Sequence, residues 1–274
     1  MTLLWRILEG ALCACIVVGV AQAQVSIIGD LSQDREARAG QSYDGSIIVR
    51  NDSHEPQQAK VYQTDYLFSY DGTNNYAEPG STARSNARWV SFSPSFFVVP
   101  PQGTVTVNYT VAVPESLGRA RPDGSYWSML MVEGVPKESP ESTLSKSAAK
   151  PGMGVRQTLR YGIQIATHIT GTGTRSVKFI HATLEKESGG GRFLQVDLEN
   201  NGTLWYRPNV YVELFDARGV SKGKFPGQKF RMYPGTSVRQ RIELSAIPAG
   251  TYKALVVVDA GGDDAFGAQY TLEF

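Results

Sequence analysis

Cysteine is nearly absent from this chain. Its two cysteines, Cys13 and Cys15, both lie inside the uncharged, mostly apolar run at residues 10–20. A helix needs about 20 apolar residues to cross a bilayer, so this run is too short for a membrane anchor. Arg6 precedes the run and the small-x-small triplet Ala21-Gln22-Ala23 follows it, an order typical of a secretory signal peptide. We therefore expect a signal peptide over residues 1–23, cleaved after Ala23, and a periplasmic location.

Cleavage at that point would remove both cysteines, which excludes disulfides, a cysteine nucleophile and thiolate metal sites from the exported chain. An excess of one charge is also missing: 27 Lys and Arg stand against 26 Asp and Glu, for a net charge of +1. Nucleic-acid binders show a clear basic excess or stripe, so we expect no nucleic-acid partner. No later apolar stretch reaches spanning length, and we expect no membrane span after cleavage.

Patterns that carry chemistry are sparse. The three histidines, His54, His168 and His181, have no metal-ligand spacing. A serine hydrolase holds its nucleophile on a strand-to-helix turn, and the helices that this fold requires are missing. We expect no enzyme activity, no metal site and no cofactor. The Gly- and Asp-rich cluster at residues 259–264 is typical of a tight turn, and calcium binding through its oxygen atoms is the alternative.

After residue 24 the sequence shows short runs with period-two alternation, separated by Gly, Pro, Asn and Asp. This pattern is typical of antiparallel sandwiches. It is clearest at residues 104–113, where one face is Val105, Val107, Tyr109, Val111 and Val113. We predict an all-β fold, with two immunoglobulin-like β-sandwich domains after the signal peptide. Trp127 and Trp205 are candidates for the buried aromatic residue of such a domain.

The predicted N-terminal domain covers residues 24–170 and the predicted C-terminal domain covers residues 171–274. Residues 136–154 are rich in Ser, Lys, Glu and Pro and have no periodicity. They predict a long exposed loop within the first domain. The sequence Gly171-Thr172-Gly173-Thr174 predicts the joint between the domains.

A second alternating run, at residues 227–233, predicts a strand in the C-terminal domain. Its cations Lys229 and Arg231 alternate with Phe230 and Met232. Basic residues placed in this way favour the solvated face of a sheet over a site for an anionic ligand.

Residues 155–170 resume the alternation after the predicted loop. The candidate partner-binding residues lie here, an apolar face of Leu159, Tyr161, Ile163, Ile165 and Ile169 and a polar face that includes Arg156 and Arg160. An exposed strand of this kind can bind a partner polypeptide by β-strand addition. The same alternation is expected if the apolar side chains simply fill the core of their own domain.

Several phrases of the first half resemble one protein family. Residues 88–94 (RWVSFSP), 97–101 (FVVPP), 105–113 and 123–130 (DGSYWSML) are similar to the N-terminal domain of periplasmic pilus-assembly chaperones, the PapD-like group. The resemblance implies that the strand at residues 159–169 lends apolar side chains to an incomplete pilin-like or other surface subunit during fimbria biogenesis.

The family also anchors the carboxylate of its client with two basic residues, one on the first strand and one on the donor strand. Arg156 and Arg160 stand on the polar face of the matching strand. The first strand, near residues 25–28, has no basic residue, and the nearest is Arg35.

A different function class remains open. Tyr62, Tyr66, Tyr70 and Tyr76 form an aromatic-rich region, and exposed tyrosines often serve recognition. The alternative prediction is a cell-envelope structural or adhesive module that binds a glycan or a surface protein.

Overall fold

The computed structural model describes residues 25–137, 139–144 and 158–274. The predicted signal peptide, Arg156 and most of the predicted loop at 136–154 lie outside these residues. Within them, all regular structure is β-strand except one 3-10 turn at Ala87–Trp89. The predicted all-β fold is confirmed.

Ten strands come from the first half of the described chain. They are β1 (Ser26–Ile28), β2 (Ser32–Ala37), β3 (Ser42–Arg50), β4 (Gln57–Phe68), β5 (Asn74–Ala77), β6 (Val90–Ser93), β7 (Phe96–Val99), β8 (Thr104–Ala112), β9 (Ser125–Val135) and β10 (Arg160–Ile169). One sheet has the order β1-β3-β8-β6. The other has the order β2-β10-β9-β4-β5, with β7 also paired to β4. These two sheets form a sandwich with one shared hydrophobic core.

Alternation places the core residues of this sandwich. On β8, Val107, Tyr109 and Val111 are buried, and the residues on either side of each are exposed or half-buried, as period-two patterning requires. Two further aromatic residues of this core, Trp89 and Tyr126, have ring centroids 4.6 Å apart.

The second half forms two further sheets. Its strands are β11 (Val177–Lys186), β12 (Arg192–Asn200), β13 (Asn209–Phe215), β14 (Ser221–Pro226), β15 (Ser237–Glu243), β16 (Thr251–Asp259) and β17 (Ala265–Glu273). The sheet orders are β11-β12-β15 and β14-β13-β16-β17, and their inner faces share a second core. Among the strands described, none of the first two sheets pairs with a strand of the last two. We propose the domain boundary at residues 170–171, between β10 and β11.

The prediction of a strand at residues 227–233 is wrong. Only an isolated bridge between Met232 and Tyr206 forms there, because Met232 and Tyr233 are buried in succession and do not alternate. Arg231 consequently leaves the predicted solvated face and reaches the first half of the chain.

The predicted loop after β9 is described only as far as residue 144, and its described part folds back over β4. Gln58 of β4 is fully buried and its side-chain oxygen accepts hydrogen bonds from the Ser142 hydroxyl (2.7 Å) and the Thr143 amide (2.9 Å). These bonds hold the start of the loop against the outer face of the sheet.

Candidate functional site

β10, which carries the candidate partner-binding residues, has a neighbour on both sides for only part of its length. β9 pairs with it antiparallel over residues 160–168. On the other side β2 pairs with it in parallel over residues 164–169, starting where Gln164 meets Ser32. Residues 160–163 therefore stand at the edge of the sheet.

The apolar residues of β10 share one face, and that face points into the core of their own sandwich. Ile163 and Ile165 are 0% exposed and Ile169 is 5% exposed. Tyr161 is half-buried against the same core, while Leu159 is 36% exposed. Of the two interpretations of the alternation, core filling describes the three isoleucines, and in this arrangement they are not presented to a partner.

The main-chain hydrogen bonds of β10 show which of its residues point their N–H and C=O groups toward β2 and which point them toward β9. The amide of Gln164 donates to the carbonyl of Leu31 (2.8 Å) and that of Thr170 to the carbonyl of Ala37 (3.0 Å), both toward β2. The amide of Ile169 donates to the opposite side, toward the β9 end of the sheet. Even-numbered residues therefore direct their N–H and C=O groups toward the β2 side, because successive residues of a strand alternate in this respect.

By this alternation, Arg160 and Gly162 direct their N–H and C=O groups toward the β2 side of the sheet. They lie before the point at which β2 begins, so these groups face outward. No strand among the described residues pairs with them on that side. We call residues 160–163 the open edge. It offers two amides and two carbonyls to an incoming strand.

Two exposed apolar side chains flank the short segment between β1 and β2, where the chain passes from one sheet to the other. Ile28 ends β1 and is 44% exposed, and Leu31 precedes β2 and is 48% exposed. Between them Gly29 has φ +102°, a conformation that favours glycine. Leu31, whose carbonyl accepts the amide of Gln164, and Leu159, which precedes Arg160, give the surroundings of the open edge an apolar character.

Arg160 is engaged by an acid of the neighbouring strand. Its Nε lies 3.0 Å from Oε2 of Glu133, which also accepts a hydrogen bond from the Tyr62 hydroxyl (2.9 Å). Burial and this carboxylate together raise the pKa of Tyr62. Lys60 lies 3.6 Å from the other oxygen of Glu133. Arg160 is thus paired with Glu133, and the other predicted cation, Arg156, lies outside the described residues.

An aromatic cluster joins the two halves of the chain. Trp127 of β9 is 2% exposed and its ring lies 4.9 Å from that of Tyr233 and packs with Ala166 of β10. Trp205 stacks on Tyr233 at 6.0 Å. The two tryptophans predicted as core candidates are therefore interface residues. Their spacing along the chain gives no signal that distinguishes the two roles.

A polar joint lies beside these rings and centres on Asp34 of β2. Arg231 donates to its Oδ2 (2.6 Å) and the Tyr233 hydroxyl to its Oδ1 (3.4 Å). Nε2 of His168 is buried 3.4 Å from the same Oδ1. Burial raises the pKa of Asp34, but the neighbouring His168 and Arg231 lower it by more, so the pKa is held below its usual value. Sequence reasoning missed Asp34 and placed Arg231 in solvent.

An aromatic cleft of about 480 Å³ opens between the halves. Tyr66 and Tyr70 of the predicted aromatic region line it, together with Phe68, Phe230 and Arg239. Outside it, Tyr76 is 55% exposed with its ring 5.0 Å from that of Tyr66.

The other candidate sites take structural positions. Asp264 pairs with Arg175 (3.0 Å), and Asp259 accepts the amide of Gly261 in the turn between β16 and β17. No group of three or more His, Cys, Asp or Glu in the described ranges is placed to hold a metal ion. A Gly-x-Ser-x-Gly sequence at residues 219–223 leads into β14, where Ser221 donates to Glu213; the hairpin is not a strand-to-helix turn. No described helix is long and apolar enough to cross a membrane.

Neither a family model nor a curated protein sequence matches the chain. Solved structures similar to it include a chain from a chaperone–tip adhesin complex of CFA/I fimbriae biogenesis, with 12% identity, 90% and 98% coverage of the two chains and a TM-score of 0.48. The class 5 fimbriae chaperone CfaA has 12% identity, 89% and 98% coverage and a TM-score of 0.45. A chain of the CsuC–CsuE pre-assembly complex from Csu pili of Acinetobacter baumannii has 15% identity, 90% and 98% coverage and a TM-score of 0.44.

Fimbrial chaperones of the PapD-like group, the family that the sequence resembles, are among the neighbours. Since every one of these TM-scores is below 0.5, we argue function from the residues of this chain.

Proposed function

We propose that this protein is a periplasmic, chaperone-like assembly factor without enzyme activity, which binds a partner polypeptide by β-strand addition at the open edge. A pilin-like or other surface subunit is the partner that we infer. The observation that carries the proposal is that β2 begins only at Ser32, which leaves Arg160 and Gly162 with outward main-chain groups. Proteins usually cover or blunt such edges because they pair with other chains, so a retained edge favours a use for it.

The side chains around the edge favour an apolar partner strand. Main-chain hydrogen bonds supply affinity in strand addition, and side-chain contacts supply specificity. Leu31 is nearly half exposed next to Gln164, at one end of the open edge, and Leu159 is exposed at the other end. An incoming strand that alternates apolar and polar residues would cover these side chains while its backbone pairs with Arg160 and Gly162.

A single substitution tests the apolar contact. Leu31→Asp places a charge beside the open edge at a site that is 48% exposed, so it leaves the fold intact and weakens partner binding at least tenfold. Val220→Asp is the matched control, because Val220 is 50% exposed but belongs to the second half. The probe is the polypeptide that co-purifies with the exported protein, and its affinity for each variant is measured by calorimetry. Equal affinities of the two variants for this polypeptide would contradict the assignment of the open edge as the binding site.

The aromatic cleft supports a second candidate, a module that binds a glycan. Sugar rings stack on aromatic side chains, and Tyr66 and Phe230 line this cleft together with Arg239. Screening the protein against a panel of envelope glycans tests this function. Binding that is lost in Phe230→Ala and kept in Leu31→Asp would favour the glycan module over strand addition.

A further inference from the structure

Arg231 links the second half of the chain to the first residues of β2. Its guanidinium donates to the Ser32 hydroxyl (2.5 Å) and to Asp34 (2.6 Å), and it lies over the Trp205 ring at 4.9 Å. Charge-assisted hydrogen bonds of this kind are stronger than neutral ones. Ser32 is also the residue that pairs with Gln164, so the contact falls where β2 begins and the open edge ends.

The residues that follow Arg231 are buried and hydrogen-bonded within the second half of the chain. Met232 and Tyr233, which follow Arg231, are 0% and 1% exposed. Met232 exchanges main-chain hydrogen bonds with Tyr206 (2.9 and 3.2 Å), and the Tyr233 amide donates to the Thr236 hydroxyl (3.0 Å). Arg231 is therefore presented to β2 from a fixed position.

β2 itself has few other attachments. Ala37, at its far end, is its only buried residue. Gln33 is tied by its side chain to the carbonyl of Ser46 and to the Tyr109 hydroxyl. Three longer side-chain contacts, each of 3.4 Å, join Asp34 to the Tyr233 hydroxyl, Asp34 to Nε2 of His168 and the Ser32 hydroxyl to the Gln164 side chain. The main chain of β2 pairs in parallel with β10, and parallel pairing is slightly less stable per residue than antiparallel pairing. The start of β2 thus depends on contacts made by side chains.

We propose that Arg231 is a positioning residue that fixes the start of β2 on β10 and thereby sets the length of the open edge. Without it the first residues of β2 detach, and the main-chain groups of Gln164 join those of Arg160 and Gly162. The use of this edge by a partner rests on the proposed function, whereas the positioning itself is a property of the free protein. In this way the second half of the chain controls how much of the first half is offered for strand addition.

Amide hydrogen exchange on the free, exported protein tests the positioning. Arg231→Met removes the guanidinium and keeps an unbranched chain. We expect the protection of the Gln164 amide, which faces β2, to fall at least tenfold. The amides of Ile163 and Ile165, which face β9, should keep their protection. Arg231→Lys, which retains a cation, should restore part of the protection at Gln164.

Arg239→Met is the control. Like Arg231, Arg239 lines the aromatic cleft, but it bonds to Asp197 of the second half through two hydrogen bonds (2.7 and 2.9 Å). It should leave Gln164 unchanged. Equal loss of protection at Gln164 and Ile163, or no loss at either, would overturn the proposal. Loss at Gln164 alone supports it even if Leu31→Asp leaves partner binding unchanged, so the proposed function can fail separately.

Discussion

Two buried asparagines, Asn51 and Asn200, each use one side chain to join main-chain segments that are separate in the sequence. Asn51 follows β3, where its side-chain nitrogen donates to the carbonyls of Glu55, Val99 and Pro100. Asn200 ends β12 in the second half and donates to the carbonyls of Leu204 and Met232. Both are 0% exposed. Burial of each carboxamide depends on carbonyls that are distant in the sequence, those of Val99 and Pro100 for Asn51 and that of Met232 for Asn200.

Substitutions in β10 separate core residues from edge residues. Ile163→Asp would bury a carboxylate without a partner, which costs several kcal/mol, and we expect the first sandwich to unfold. Leu159→Asp, at an exposed site in the same run, should change the free energy of unfolding by less than about 1 kcal/mol. Urea denaturation followed by tryptophan fluorescence measures both. A folded Ile163→Asp variant with native stability would contradict the placement of that side chain in the core.

At the scale of elements, strands with a clear apolar alternation could be predicted and the others could not. β8 and β10 were evident because their inward residues recur at every second position. β2 has the sequence SQDREA, which carries no apolar alternation, and its parallel pairing to β10 depends on Asp34 and Arg231, far apart in the chain. Since the open edge is defined by where β2 begins, the sequence predicted the strand β10 but not which part of it has a neighbour on only one side.

Acid should weaken the attachment of β2. The pKa of Asp34 is lowered in the folded protein, so its contribution to stability is present above the unfolded value of about 3.9 and is lost as pH falls through the lower folded value. Asp34→Asn should therefore destabilise the protein at neutral pH and have progressively less effect below about pH 4. Unfolding free energies of the two proteins across this pH range test the expectation. A difference that grows on acidification would contradict it.

At the scale of the whole molecule, the two sandwiches are joined by rings and a polar joint as well as by the chain between β10 and β11. Trp127, Tyr233 and Ala166 are all buried in this contact. The amide of Ser125 donates to the carbonyl of Thr203 (2.8 Å) across it. The sequence predicted two sandwiches from strand spacing, but not their contact. A tryptophan in a β domain is predicted to be buried whether it lies in the core of its own domain or in the contact between two domains.

Trp127→Ala should uncouple the two halves. Large-to-small substitution of a buried aromatic residue costs about 3–5 kcal/mol, and here the loss falls on the contact. We expect one calorimetric unfolding transition for the natural protein and two for the variant. Tyr76→Ala, at a site 55% exposed, is the control and should leave a single transition. A single transition in Trp127→Ala as well would show that the rings do not couple the halves.

Amide hydrogen exchange of the complex tests strand addition most directly. Arg160 and Gly162 direct their amides outward, whereas Tyr161 and Ile163 direct theirs toward β9. Binding of the co-purifying polypeptide should slow exchange at Arg160 and Gly162 by tenfold or more and leave Tyr161 and Ile163 unchanged. Exchange at Arg160 and Gly162 that is unaffected by a bound partner would contradict the account.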